Sequence, residues 1–226
     1  MNNNIAGLAI VALTVVSGTA VAEPFGLLNG RSALISSAPE RSFEVGAVFS
    51  ELSFDDGDDA DYEHFGARYN YKINPTSVIY GDVGQSTLED GSLEADGLTF
   101  GIGGFWQMDG VFSTSNFAVH ASFHRVDLDF SNRDNDLTGN TIIVEGLFSG
   151  KEPINQAGTM YFNGSIGISR QSLKITLIDD ASDTDTELTW SAGVVVDTQS
   201  KTGEFYGGVF YIDEIGFGAG YRHFLQ

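Results

Sequence analysis

Apolar and polar residues alternate along most of the chain after residue 40, in about ten runs that are each long enough for a β-strand. Successive side chains of a strand point to opposite faces, so an alternating run has one apolar face and one polar face. The clearest run puts five large apolar residues on one face: Leu98, Phe100, Ile102, Trp106 and Met108. Residues 63–73 and 188–196 repeat this pattern. The chain is therefore predicted to be all-β with ten strands.

Two of the runs change parity part of the way along. The apolar residues of 43–49 have odd numbers and are followed by Leu52, and those of 117–123 are followed by Val126 and Leu128. One extra residue in a strand, a β-bulge, shifts the parity of all later side chains. We therefore predict β-bulges near one rim of the sheet. Residues 77–87 form the weakest run, with mixed faces, so eight strands are the alternative.

The connections between the runs alternate in charge. Five connections are rich in Asp and Glu, at residues 55–61, 89–96, 127–140, 178–187 and 213–214. The connections between them carry few charges, at residues 74–76, 109–116, 150–158 and 198–203. In an up-and-down barrel, successive hairpins point to opposite ends. The acidic connections would then all lie at one end and the weakly charged connections at the other.

A barrel with an apolar outer face and a polar interior is typical of membranes. We therefore predict a transmembrane antiparallel up-and-down β-barrel whose acidic end faces the cell exterior. The competing fold is a soluble periplasmic β-barrel or sandwich, which would turn its apolar face towards a core. The many Gly and charged residues on the opposite face fit that fold less well.

The first 40 residues differ from the rest of the chain. Residues 5–16 are almost entirely apolar, and the small residues Ala20 and Ala22 follow. This pattern predicts a secretory signal peptide at residues 1–22, since an apolar core of roughly 12 residues is shorter than the roughly 20 that a membrane helix needs. Residues 23–40 do not alternate and are predicted to be an N-terminal tether or plug segment. Residues 41–226 are predicted to form the barrel.

Composition narrows the chemistry. The chain has no cysteine, which excludes disulfide bonds and thiolate metal sites. Its net charge of −20 would repel the phosphates of nucleic acids, so we expect no nucleic-acid partner. Nothing in the sequence predicts a cofactor.

Near the end of the sequence, residues 215–224 read IGFGAGYRHF and are followed by Leu225 and Gln226. This segment resembles the last strand of small, porin-like Gram-negative outer-membrane β-barrels, which commonly ends in alternating apolar residues, a Tyr-Arg pair and a terminal aromatic residue. His223 stands where that aromatic is expected. The resemblance implies a location in the outer membrane after signal-peptide cleavage. It also implies contact with outer-membrane lipid and lipopolysaccharide, and insertion by the barrel-assembly machinery.

Strand parity predicts which titratable side chains lie inside the barrel. The predicted lumen residues are Glu44, Arg68, Lys72, Asp82, His120, Glu145, Arg170, Asp197, Glu204 and Arg222. They would either line a narrow aqueous path or pair with one another and fill the lumen. The favoured function is a porin-like narrow channel for small polar solutes or ions, or a structural surface barrel. The alternative is a surface-interaction barrel whose acidic loops bind a host, phage or lipopolysaccharide partner.

Three histidines suggest a further alternative, a hydrolase at the rim. His64 and His124 each have acidic neighbours, which resembles the Asp and His site of omptin proteases, where an Asp orients a His for water activation. His120-Ala121-Ser122 resembles the His-x-Ser motif of outer-membrane lipid A deacylases. His64 and His124 are the candidate catalytic residues, although an enzyme is not the favoured interpretation.

One acidic connection offers carboxylate oxygens that suit Ca²⁺. Its acidic residues are Asp55, Asp56, Asp58, Asp59 and Asp61. The spacing of an EF-hand, with its Gly at the sixth position and a closing Glu, is absent. A solvated, mutually repelling loop is therefore the favoured interpretation, and no metal site is expected.

Overall fold

The computed structural model describes residues 38–53, 59–90, 93–108, 116–130, 136–155, 158–176, 181–198, 202–212 and 214–225. Ten strands follow one another along the chain: β1 (Arg41–Ser53), β2 (Asp59–Asn74), β3 (Ser77–Asp90), β4 (Leu93–Met108), β5 (Asn116–Phe130), β6 (Asp136–Asn155), β7 (Gly158–Thr176), β8 (Ala181–Asp197), β9 (Gly203–Ile212) and β10 (Glu214–Leu225). Each pairs antiparallel with its neighbour, and β1 pairs with β10 to close a barrel. The ten-stranded up-and-down barrel is confirmed, including the weak third strand.

The two rims of the barrel are named here by what they contain. At the terminal end Arg41 pairs with Leu225, so the barrel begins and finishes there. At the distal end Ser53 pairs with Asp59 across the connection between β1 and β2. The predicted signal peptide and residues 23–37 of the predicted tether lie outside the described residues. Within the described ranges, no helix is long and apolar enough to span a membrane.

A belt of exposed apolar side chains surrounds the barrel from its terminal end to beyond its middle. On β4 the belt runs from Leu98, which is 71% exposed, to Met108. Those 11 positions match the roughly 9 to 11 residues with which a strand crosses a bilayer. Aromatic rings pair within it, as for Phe117 and Phe148, whose centroids are 5.1 Å apart. Because a transmembrane barrel carries an apolar outer band about 25 Å tall, the belt is the lipid-facing surface.

The pattern of inside and outside inverts near the distal end. Apolar side chains are buried inside there: Ala60, Tyr62, Ala95, Val126, Leu128 and Leu137. Acidic residues of the same segments are exposed outside: Asp61, Glu63, Glu94, Asp129 and Asp136. In water a sheet turns its apolar face inward and its polar face outward. The distal part of the barrel, here called the distal collar, is therefore built for water and stands beyond the lipid.

This inversion, and not a β-bulge, accounts for the change of apolar parity along β1 and β5. β1 pairs with β2 without a register shift from Arg41 to Ser53, and β5 pairs with β6 without one along its length. The prediction of bulges in these strands was wrong. Val126 and Leu128 are buried because the surroundings of β5 change from lipid to water, while the strand itself continues regularly.

Candidate functional site: the lumen

Strand register brings a row of charges together inside the barrel. Glu44 of β1 lies opposite Arg68 of β2 on one side and opposite Arg222 of β10 on the other. Arg68 in turn lies opposite Asp82 of β3. Residues paired in this way share a face of the sheet, and all four are buried. The alternating signs along this row allow each charge to meet an opposite one.

Arg68 is the centre of the first group of contacts. Its Nε and Nη2 atoms donate to Asp82 Oδ2 over 3.0 and 2.8 Å. His124 Nε2 lies 3.2 Å from the same carboxylate oxygen. The guanidinium carbon of Arg68 stands 3.9 Å from the ring centroid of Tyr80, a cation–π contact. Arg68 is only 2% exposed, so these contacts take the place of water around its charge.

A second group of contacts continues from Tyr80. Its hydroxyl oxygen lies 2.8 Å from His120 Nε2, and His120 Nδ1 lies 2.8 Å from Glu145 Oε1. A neutral His120 satisfies both contacts by donating a hydrogen bond from Nδ1 to Glu145 and accepting one at Nε2 from the Tyr80 hydroxyl. The imidazole also stacks on Phe105, with 4.7 Å between ring centroids. Both ring nitrogens of His120 are therefore engaged within the protein.

A third group lies near the terminal end. Arg222 donates from Nε to Glu44 Oε1 over 2.7 Å and also pairs with Glu204. Asn70 donates to the same oxygen of Glu44. Together the three groups give the buried carboxylates and guanidiniums of six strands hydrogen-bonding partners inside the barrel.

His64 belongs to a neutral group inside the barrel. Its Nδ1 atom lies 3.0 Å from Ser86 Oγ, and that hydroxyl also contacts Tyr62 and Thr99 at 2.9 and 2.6 Å. The side chain of His64 is 1% exposed. The sequence predicts this histidine at the rim beside acidic residues, whereas the fold buries it inside the barrel.

An apolar cluster crosses the lumen. It consists of Val48, Ile143, Val195, Tyr206 and Phe210, with Tyr161 packed against it. These residues come from β1, β6, β7, β8 and β9, and β1 and β6 stand opposite each other in the ring of ten strands. Side chains from opposite walls thus belong to one packed cluster. The interior of a barrel of about eight strands is just wide enough for side chains to fill it. In this ten-stranded barrel one packed apolar cluster includes residues from opposite walls.

The structure places the predicted lumen residues as follows. Seven are buried inside the barrel: Glu44, Arg68, Asp82, His120, Glu145, Glu204 and Arg222. Lys72 and Asp197 are half-buried at the terminal end, where Lys72 Nζ donates to the Ala38 carbonyl oxygen over 3.2 Å. Arg170 is exposed on the outer face, because β7 keeps one parity and turns Ser169 and Gln171 inward.

The other candidates are dispersed. His124, like His64, is buried inside the barrel instead of lying at the rim. Asp55, Asp56 and Asp58 lie outside the described residues, Asp59 begins β2, and Asp61 is exposed on the outer face. Within the part of the chain that the structure describes, no group of three His, Asp or Glu residues is arranged to hold a metal ion.

Glycines on the inner wall make room for the large side chains, and Gly84 gives a direct test. A Cβ atom there would meet the His64 ring and lie 2.5 Å from the Phe65 carbonyl oxygen. We expect Gly84→Ala to displace His64 and lower the free energy of unfolding by about 1–3 kcal/mol. Urea unfolding of the refolded protein in detergent micelles measures this loss. Gly150→Ala is the control, because no atom lies within 4 Å of its added Cβ. Equal stability of the two variants would contradict the prediction.

The fold and its two surfaces define the class of the protein. A closed antiparallel barrel with a lipid-facing apolar belt and charged residues inside is an outer-membrane β-barrel.

Comparisons with solved structures agree with this fold. The chain is similar to the β domain of the Bordetella autotransporter BrkA, with 12% identity and a TM-score of 0.50 over 82% of this chain and 100% of that one. It is also similar to the translocator domain of the autotransporter NalP from Neisseria meningitidis, with 11% identity and a TM-score of 0.49 over 97% and 95% of the two chains. At such identities the likeness concerns the fold alone. No protein-family model and no curated protein matches the sequence.

Proposed function

We propose that the protein is a filled barrel of the Gram-negative outer membrane that acts as a surface scaffold and does not conduct as a porin. The observation that carries this proposal is the packed lumen. Val48 and Ile143 belong to one buried cluster although they come from opposite walls. An open channel needs a continuous path lined by water, and this cluster leaves side chains where the path would run.

The charged groups favour the same interpretation. Arg68 and Arg222 are buried; Arg68 contacts the carboxylate of Asp82, and Arg222 contacts those of Glu44 and Glu204. A solute or ion passing through the lumen would have to separate these pairs. Breaking one partner away from a buried pair costs several kcal/mol, so the pairs resist such a passage.

The proposed orientation puts the distal collar outside the cell. The chain enters and leaves the barrel at the terminal end, next to the segment that follows the predicted signal peptide. A secreted chain reaches the outer membrane from the periplasm, so the terminal end belongs on that side. The distal collar, with acidic residues on its outer face, then becomes the part of the barrel that partners meet.

The geometry gives less support to a hydrolase at the rim. A histidine that activates water must come within hydrogen-bond reach of the reacting group. His64 and His124 are 1% and 2% exposed and contact side chains of the lumen. A substrate at the distal rim would not reach them without opening the barrel.

Single-channel recording in a planar bilayer tests the proposal. We expect no steady openings from the refolded mature chain, residues 23–226, or from a variant that begins at residue 41, while an established porin conducts in the same bilayer. Heat-modifiable migration in detergent shows that both proteins are folded. Steady openings from the mature chain would contradict the proposal and support the porin-like alternative. Openings only from the shorter variant would also contradict a lumen filled by the side chains of the barrel, and would identify residues 23–40 as a plug.

A further inference from the structure

The wall of the barrel is not equally tall all the way round. β9 and β10 meet in a tight hairpin, in which Ile212 pairs with Glu214. β8 pairs with β9 only as far as Trp190, although β8 itself reaches Ala181. Residues 181–189 of β8 therefore continue beyond the hairpin, for about 30 Å at about 3.3 Å per residue. This segment is here called the open edge.

The open edge has a neighbouring strand on one side. β7 pairs with it there, in a register that runs without a shift from Ala181 to Val196. On the other side, no strand within the described ranges pairs with β8 beyond Trp190. Thr184 and Thr186 are not free, since each makes a further contact within the protein. The position that stays open is that of a whole strand beside β8.

The backbone of the open edge is directed towards this position at every second residue. Alternate residues of a strand turn their N–H and C=O groups to the same side. On β8 the even-numbered residues turn them towards β9, because a Cβ atom added to Gly208 of β9 would lie 2.5 Å from the Ala192 carbonyl oxygen. The register is regular, so Ser182 and Leu188 keep the direction of Ala192. Backbone donors and acceptors thus line the side on which β9 has ended.

The open edge belongs to the distal collar and stands beyond the lipid. On β8 the apolar belt reaches Leu188, which is 58% exposed. Thr186 and Thr184 follow on the outer face and are exposed polar residues. A strand edge in water is a template on which another chain can pair. Proteins use such edges to bind extended segments, whose backbone hydrogen bonds provide the affinity.

The sequence of the open edge indicates which segments fit it. Acidic residues occupy every second position, and the edge contains no Lys or Arg: Asp183, Asp185 and Glu187. The β7 residues directly opposite them are uncharged: Leu173, Gln171 and Ser169. The cations of β7, Arg170 and Lys174, pair with the even-numbered residues Thr186 and Ser182 instead. Opposite charges on directly opposed residues stabilise a strand pair, so Lys or Arg at every second position fits this edge.

A second copy of this chain fits the open edge poorly. In an antiparallel pair of two open edges centred on Asp185, Asp183 of each copy would stand opposite Glu187 of the other. Like charges directly opposite each other destabilise a sheet. Natural edge strands use charges in this way against self-association. A segment of opposite charge is therefore the better occupant.

We propose that the open edge binds an extended segment of a partner protein outside the cell, which pairs antiparallel with β8 and carries Lys or Arg at every second position. The proposal names a partner for the surface scaffold and rests on the orientation given under Proposed function. It does not depend on a filled lumen. Steady openings in the planar bilayer would therefore contradict the scaffold without affecting this site.

Peptide binding to the refolded mature chain in detergent tests the site. The probe is a fluorescent peptide of alternating Lys and Thr that is as long as the open edge, and anisotropy measures its affinity. A peptide with Glu in place of Lys should bind about tenfold more weakly, from three opposite-charge pairs. A peptide of the same charge that is methylated at every backbone nitrogen should not bind, because it cannot donate to β8.

Three results with these peptides would overturn the proposal. The first is an affinity of the Glu peptide within about twofold of the Lys peptide, since three charge pairs predict more. The second is undiminished binding of the methylated peptide, which would mean attraction by charge alone. The third is no binding of the Lys peptide up to about 1 mM, where even a binding free energy of about −4 kcal/mol would be detected.

Reversing the charge of the open edge locates the peptide. The triple variant Asp183→Lys/Asp185→Lys/Glu187→Lys should prefer the Glu peptide. The milder variant Asp183→Asn/Asp185→Asn/Glu187→Gln should bind the Lys peptide about tenfold more weakly than the wild type. Heat-modifiable migration verifies that each variant is folded.

The matched control changes the same charge elsewhere on the distal collar. Asp61→Lys/Glu63→Lys/Glu89→Lys reverses three exposed acidic residues of β2 and β3, which are paired on both sides. We expect this control to bind the Lys peptide as the wild type does. A loss as large as that of the open-edge variant would show binding to acidic surface in general and refute the site.

Hydrogen exchange distinguishes strand pairing from other binding at the open edge. At saturating Lys peptide, exchange of the Ser182 amide should slow about tenfold, because a new hydrogen bond protects it. The Asp183 amide points towards β7 and should change little. Unchanged exchange of Ser182 in the complex would refute the added strand.

Orientation is measured separately. Because the chain has no cysteine, Glu94→Cys introduces a single thiol on the exposed face of the distal collar. A membrane-impermeant maleimide should label this variant in intact cells. Labelling only after the cells are broken would place the open edge on the periplasmic side and refute a partner outside the cell, whatever the affinity in detergent.

Discussion

Replacing Arg68 with Met is expected to lower the free energy of unfolding by about 3–5 kcal/mol. Arg68 is buried and donates two hydrogen bonds to Asp82, so the substitution leaves that carboxylate inside the barrel without its cation. Removing one partner of a buried ion pair costs this much because an uncompensated charge remains away from water. Urea unfolding of refolded protein in lipid vesicles measures the loss.

Two variants separate the charge effect from lost packing. Arg41→Met removes an arginine whose side chain is 54% exposed and should change stability by less than about 1 kcal/mol. The double variant Arg68→Met/Asp82→Leu should recover most of the stability, since replacing both members of a buried pair by apolar residues is often neutral. A double variant as unstable as Arg68→Met would mean that lost packing against Tyr80, and not the orphaned carboxylate, causes the effect.

Sequence parity predicted the barrel because the lipid requires apolar side chains at every second position. The run of β4 from Leu98 to Met108 has an apolar side chain at every second position except Gly104, and those side chains form part of the belt. The same parity indicated that Glu44, Arg68 and Asp82 share the opposite face. Both predictions use only the two-residue period of a strand, which is visible in any single segment.

The distal collar was not predicted, for a physical reason. A bulge within lipid and a regular strand that passes from lipid into water produce the same change of apolar parity in the sequence. Only the pairing of β5 with its neighbours shows that Val126 and Leu128 turn inward on an unbroken strand. The surroundings of a strand, unlike its period, are set by the whole barrel.

The contact partners of the buried charges also could not be predicted from the sequence. Tyr80, His120 and Glu145 come from β3, β5 and β6, and their contacts depend on the tilt of the strands as well as on parity. Parity assigns a face, whereas tilt decides which residues of that face stand at one height in the barrel. One signal was available in the sequence, since inner glycines such as Gly84 leave room for the large side chain of a neighbouring strand.

Ile102→Arg is expected to destabilise the barrel in lipid vesicles by about 2–4 kcal/mol. Ile102 is 64% exposed and lies near the middle of the belt on β4, where an arginine must leave water for the hydrocarbon core. Glu94→Arg is the matched control on the same strand and face, eight residues nearer the distal rim. It should change stability by about 0–1 kcal/mol, because the cost of a cation falls towards the edge of the bilayer.

The comparison of these two variants separates a membrane barrel from a soluble one. In a soluble barrel the exposed Ile102 would face water, and an arginine there would cost no more than one at Glu94. In a membrane the difference in unfolding free energy reports how deep Ile102 lies in the lipid. Urea unfolding in vesicles should therefore show a large loss for Ile102→Arg alone. Equal stability of the two variants would mean that the belt does not face lipid, and the orientation proposed above would lose its basis.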